Sequence, residues 1–141
     1  MAALKKSVNT LSASSTLQPR RNHDAGITEI ILSVSEPPYA LALPMLAHLS
    51  RNTGGRWLTW VTSTPLSKHT LEEYGFNIEN LRVIYAISNE QAKWITWEAL
   101  QNGNSDAVVA SLDGLSSKEL QDLEAASLSG GCRGLLLRLR G

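Results

Sequence analysis

Apolar positions fall into short β-type runs separated by stretches of helical spacing. The first run is Ile27-Thr28-Glu29-Ile30-Ile31-Leu32-Ser33-Val34, followed by Ser35-Glu36-Pro37-Pro38-Tyr39 and a helical stretch through Leu43 and Leu46. Pro44 fits a first helical turn, so the regular helix starts near it, and Asn52-Thr53-Gly54-Gly55 ends it. Arg56-Trp57-Leu58-Thr59-Trp60-Val61 reads as a second strand, rich in β-formers. Alternation puts Trp57, Thr59 and Val61 on one face and Leu58 and Trp60 on the other.

A short helix is predicted from Ser67 to Tyr74, with Gly75 just past its end, and a third strand from Leu81 to Ile87. Ser88-Asn89-Glu90-Gln91 reads as a capping box opening a helix to about Gln101, which Asn102-Gly103 stops. Ala107 to Leu112 forms a short buried strand. Ser116-Ser117-Lys118-Glu119 is a second capping box, flanked by Leu115 and Leu120 at the positions of a hydrophobic staple. That helix runs to about Leu128, Gly130-Gly131 breaks it, and Leu135 to Leu139 is the last strand. Five strands alternating with four helices predict an α/β domain, with a mostly parallel sheet covered on both faces.

Strand, loop and helix around residues 27–50 follow the layout of a nucleotide-binding phosphate loop, but the loop chemistry differs. A phosphate cradle needs glycines, so that backbone N–H groups can wrap the anion, and a lysine to reach it. No glycine stands between Gly26 and Gly54, no lysine between Lys6 and Lys68, and Pro37 and Pro38 lack the N–H. Asp113 follows an apolar strand, as a magnesium-organising acid does in such enzymes, yet its place before Gly114 reads as a turn. Gly130-Gly131-Cys132-Arg133-Gly134 precedes a strand rather than a helix and also reads as a turn. His23, His48 and His69 are far apart and lack partners at metal-ligand spacing. No catalytic, cofactor or metal residue is assigned.

The full chain of 141 residues is 43% apolar, with thirteen basic residues balancing thirteen acidic ones, and fits one domain, placed over residues 25–141. That balance argues against a nucleic-acid clamp or a binder of anionic membranes. Residues 1–24 differ: Lys5, Lys6, Arg20 and Arg21 face the single acid Asp24, aromatics are absent, and the segment reads as a disordered tail. It has no apolar core of a secretory signal, and no run reaches the ~18 apolar residues of a membrane span. The single cysteine, Cys132, cannot form an internal disulfide and reads as a packed, inert thiol, so a cytosolic protein is expected.

On the helix 89–101, Ala92, Ile95, Thr96 and Ala99 share one side, with Trp94 and Trp97 roughly opposite. Two readings stand. If the small residues face the sheet, the tryptophans form a protein contact such as a homodimer. Otherwise the helix is rolled so that they pack inward, or the N-terminal segment covers them.

Leu43-Pro44-Met45-Leu46, then Arg56-Trp57-Leu58-Thr59-Trp60, then Leu100 and Gly103-Asn104 ahead of Val108-Val109 resemble the SulA cell-division inhibitors of the bacterial SOS response. The likeness spans about residues 27–140. From Leu71-Glu72-Glu73-Tyr74-Gly75 through Asn89-Glu90-Gln91-Ala92 the chain is also similar to RecA. The resemblance implies a RecA-like fold without the ATP site. It further implies a non-enzymatic inhibitor that binds the tubulin-like protein FtsZ on the subunit end carrying the T7 loop, blocking filament growth and GTP hydrolysis. Carried over to this chain, the motif residues Arg56, Trp57 and Trp60 with Val61, and the following Lys68, Thr70, Leu71, Phe76 and Asn80, are the implied partner-binding set. Thr70 stands where some relatives have Trp, and Asn80 where they have Lys. Read from the residues alone, at least one of Trp57 and Trp60 is core, and Arg56 is a strand-edge charge near the surface. Some relatives have a longer C-terminal tail that directs degradation by the Lon protease; here Gly141 follows the last strand directly. The alternative function is a degenerate RecA-like accessory protein of SOS mutagenesis, binding RecA or a polymerase.

Overall fold

The computed structural model describes residues 25–33 and 39–140. The tail 1–24 and loop residues 34–38, with Glu36, Pro37 and Pro38, lie outside the described residues. Among the described residues five strands alternate with four helices: β1 Gly26–Ser33, α1 Leu43–Ser50, β2 Trp57–Thr62, α2 Lys68–Glu73, β3 Leu81–Tyr85, α3 Asn89–Asn102, β4 Ser105–Ser111, α4 Ser117–Gly130 and β5 Arg133–Arg140. A single 3₁₀ turn, Ile78–Asn80, leads into β3. All pairings are parallel and the sheet order is β1-β5-β4-β2-β3, as the predicted α/β class requires.

The alternation in β2 holds. Leu58 and Trp60 enter one core with Leu43, Leu46, Leu71 and Phe76 from α1, α2 and the turn after it. Val61 enters the other, with Ala92, Ala99 and Leu100 of α3 and Leu123 and Ala126 of α4. Helices α1 and α2 therefore cover one face of the sheet, and α3 and α4 the other. In the first core the Trp60 ring is edge-on to Tyr39 (centroids 6.2 Å apart) and stacked on Phe76 (6.3 Å). At the C-terminal edge of the sheet Tyr39 is buried, and its hydroxyl accepts from Ser111 (2.8 Å).

Helix ends follow the capping chemistry, with two differences. Ser116 and Glu119 complete a reciprocal capping box, and Leu115 and Leu120 both pack against the second core. Ser88 caps Gln91 N–H, but the Gln91 side chain accepts from Ile87 N–H (2.7 Å) rather than from Ser88, one residue further back. Gly130 does not break α4. It is the last helical residue, and a Cβ on it would lie 1.9 Å from Leu100 O, so glycine is what lets α4 cross α3 this closely. The left-handed turn falls on Gly131 (φ +61°), and β5 starts two residues earlier than the apolar pattern suggests. Strand β3 stops at Tyr85, leaving Ile87 exposed.

Candidate functional site

In a parallel sheet with returning helices, the strands begin where the helices end. The N-terminal edge of this sheet thus collects the C-termini of all four helices, each with unpaired carbonyls and a partial negative charge. Arginines meet them. Arg51 Nη1 donates to Gly75 O just past α2 (2.5 Å). Arg56 spans two helices at once: Nη1 donates to Gly103 O after α3 (3.1 Å) and Nη2 to Gly131 O after α4 (2.8 Å). The surface reading of Arg56 is corrected here. It is half-buried, and both ends of its guanidinium fork are engaged in closing α3 and α4.

Beside it, Trp57 is 38% exposed. Its N–H donates to Asn104 O (3.1 Å), and the β2–β4 register slips here: Trp57 pairs with Ser105 but Leu58 with Ala107. Such an irregularity re-aims the side chain at its position. The Arg82 guanidinium carbon lies 5.6 Å from the Trp57 ring centroid, a cation–π contact. Arg82 is itself tied down: Nη2 donates to Thr59 Oγ1 (3.1 Å), Asn104 Oδ1 (3.1 Å) and Ser105 Oγ (3.3 Å), and Nε to Thr59 Oγ1 (3.3 Å). Thr59 and Ser105, both fully buried, also share a hydrogen bond of 2.7 Å. The result is an exposed indole held by a braced cation, with half-buried Asn80 entering the same edge ahead of β3.

The implied partner-binding set divides. Arg56, Trp57 and Asn80 come together at this edge. Lys68, exposed, and Thr70, half-buried, open α2 beyond the far end of β2, a strand length away. Trp60 and Val61 are 0% exposed, Leu71 5% and Phe76 6%, so these four side chains build the cores on which the edge rests. Arg82 is absent from the set. Its signal is the parallel β2–β3 register, which puts it opposite Thr59, one residue beyond Trp57 on the same face.

Two other predicted features are resolved by the packing. Cys132 is 1% exposed, and burial pushes its thiol up to about 12 from an ordinary 9.0, in keeping with an inert, packed thiol. On α3 the small-residue stripe faces the sheet. Trp94 is 58% exposed, and Trp97 is half-buried against the second core with its ring stacked on Trp94 (centroids 5.4 Å apart). Among the described residues no group of three His, Cys, Asp or Glu could hold a metal ion, and no helix is long and apolar enough to cross a membrane.

The chain was compared with known proteins. The family model "Cell division inhibitor SulA" matches residues 26–134. A Cell division inhibitor SulA from Serratia marcescens is 30% identical over 125 residues, covering 84% of this chain and 73% of the relative. One from Pseudomonas aeruginosa is 33% identical over 118 residues, covering 82% and 73%. The crystal structure of SulA from Pseudomonas aeruginosa superposes with a TM-score of 0.75 at 32% identity, covering 81% of this chain and 98% of that one.

Proposed function

Because the chain belongs to the SulA family of cell division inhibitors, we propose that it stops septation in the SOS response by binding FtsZ on the T7-loop end of a subunit. Each bound subunit is withdrawn from filament assembly. GTP hydrolysis falls with it, because that active site is completed only between subunits. The inhibitor supplies a surface rather than a reaction, needs no cofactor, and works in the cytoplasm where FtsZ is.

The observation that carries the reading to a place on this fold is Trp57, exposed at the N-terminal edge of the sheet and braced by Arg82. Exposed aromatics with an arginine alongside are the composition of energetic centres in protein interfaces. A preorganised indole also loses little side-chain freedom on docking. The test is FtsZ GTPase rate and sedimentation against inhibitor concentration. Wild type is expected to extinguish both as it approaches the FtsZ concentration. Trp57→Ala is expected to bind at least about thirtyfold more weakly, since truncating such a centre costs about 2 kcal/mol or more. A folded Trp57→Ala protein that inhibits like wild type removes this edge from the interface. A wild type that leaves its own host's FtsZ unaffected removes the function.

A further inference from the structure

Three of the four helices close on a backbone hydrogen bond. Arg51, Tyr74 and Gly131, which follow α1, α2 and α4, each donate their N–H back to a carbonyl of the last turn. Helix α3 ends differently. Gly103 takes the left-handed turn (φ +78°), and its N–H meets no acceptor among the described residues. Ahead of it stands Asn102, exposed, whose side-chain Oδ1 accepts from Asn104 N–H (3.0 Å). That bond folds the Asn102 amide carbon back over the Gly103 peptide and draws electron density from it. An electrophilic carbon therefore stands beside a main-chain nitrogen that neither a hydrogen bond nor a side chain shields. No other asparagine of the chain precedes a glycine.

We propose that Asn102 is a site of spontaneous deamidation, placed where its product undoes the bracing of Trp57. Gly103 N gives its proton to solvent base and attacks Asn102 Cγ. The new C–N bond closes a succinimide ring, and the Nδ2 nitrogen leaves as ammonia. Water then opens the ring at either carbonyl. One opening gives aspartate; the other gives isoaspartate, with the main chain routed through Cβ and Cγ.

The isoaspartyl link adds a carbon to the main chain directly ahead of three supports of the N-terminal edge. Gly103 O accepts from Arg56 (3.1 Å), Asn104 O from Trp57 N–H (3.1 Å), and Asn104 Oδ1 from Arg82 (3.1 Å). The turn has little slack to absorb it, since a Cβ on Gly103 would lie 3.1 Å from Gly130 O. Deamidation thus gives the inhibitor a chemical lifetime. The chemistry stands on the turn alone, and its effect on inhibition rests on the FtsZ reading.

The experiment holds the full chain at mildly alkaline pH, native and in urea, and maps it with trypsin and tandem mass spectrometry. In the native protein, peptide 94–118 is expected to gain about 1 Da at Asn102, at least about tenfold faster than any other asparagine, and to elute as two forms. An isoaspartyl methyltransferase should label one of them. Native protein that stays unconverted while the unfolded chain converts shows that the fold protects the site, and overturns the proposal. Aged native protein is expected to melt about 5 °C below fresh protein and to lose FtsZ inhibition in step. Asn102→Gln aged alongside should keep both, because its longer side chain closes a ring poorly. Asn102→Asp should melt within about 2 °C of wild type, since its cost is one carboxylate at a helix end. A fall as large as that of aged protein assigns the effect to charge and overturns the loosening by chain insertion, as does conversion with an unchanged Tm. If fresh wild type leaves FtsZ unaffected, the function fails, while mapping and melting still decide this proposal.

Discussion

Arg56→Ala is expected to lower stability, although the sequence position reads as a surface charge. Its guanidinium donates to Gly103 O at 3.1 Å and Gly131 O at 2.8 Å, the carbonyls that close α3 and α4. A hydrogen bond from a charged donor contributes about 1.5–3 kcal/mol when buried. The favourable placement of a cation at a helix C-terminus adds about 0.3–1 kcal/mol. Half exposure reduces the sum, so about 3 kcal/mol is expected. For a domain of this size that corresponds to roughly a 10 °C fall in Tm. Arg56→Lys keeps the charge but loses the fork that reaches two carbonyls, and should fall about half as far. Arg56→Glu sets a carboxylate against two negative helix ends and should fall furthest. Thermal melts followed by far-UV circular dichroism decide this. If Arg56→Ala melts within about 2 °C of wild type, the two hydrogen bonds do not carry the load assigned to them. FtsZ inhibition by Arg56→Ala well below its Tm then separates stability from contact: retained inhibition makes Arg56 a brace, and lost inhibition with an intact fold makes it a contact as well.

Gly130→Ala should lower the urea midpoint by the equivalent of about 3 kcal/mol, since backbone rather than a flexible side chain stands in the way of the new methyl group, 1.9 Å from Leu100 O; an unchanged midpoint refutes the close crossing. The raised Cys132 thiol costs nothing below pH 9, where both states are protonated. Between pH 9 and about 12 only the unfolded chain ionises, so stability should fall by about 1.4 kcal/mol per pH unit, and a thiol reagent should react with native protein far more slowly than with denatured protein. Fast native labelling or a flat alkaline limb counts against that burial. Calorimetry with ATP and GTP, with and without magnesium, should be flat, because Glu36-Pro37-Pro38 offers no glycine cradle and Tyr39 is packed into the first core; saturable micromolar binding is the refuting result.

Element order was legible because this chain punctuates itself. Gly75 and Gly103 sit where φ is positive past α2 and α3, and Ser67, Ser88 and Ser116 each accept the N-cap bond. The two faces of β2 were legible because alternation in a buried strand leaves no freedom. The roll of α3 was not: the stripe of Ala92, Thr96 and Ala99 left two readings open, and only the packing shows that this stripe, rather than the tryptophans, faces the sheet. What escaped was tertiary. Nothing near Arg56 in sequence shows that the ends of α3 and α4, 47 and 75 residues on, converge on it. Gly130 reads as a breaker because the helix it approaches is remote in sequence. Leu71 and Phe76 sit among polar neighbours, which suggests a surface, while their own side chains turn inward.

The N-terminal edge couples folding to recognition. Arg56 and Trp57 are adjacent in sequence, yet one closes the ends of α3 and α4 while the other meets solvent. Arg82 joins the two duties: it satisfies the fully buried Thr59 and Ser105 and supports the exposed ring. Its removal leaves the buried Thr59 and Ser105 hydroxyls only each other as partner, at about 1–3 kcal/mol for lone-pair capacity left unsatisfied, and frees the indole at the same time. Loss of inhibition in Arg82→Ala is thus uninformative alone. The informative quantity is the coupling between Trp57→Ala and Arg82→Ala, measured separately for stability and for FtsZ inhibition. Coupling in both follows if the cation organises the ring for docking. Coupling in stability alone means the arginine serves the sheet, and the ring finds its docking geometry without it.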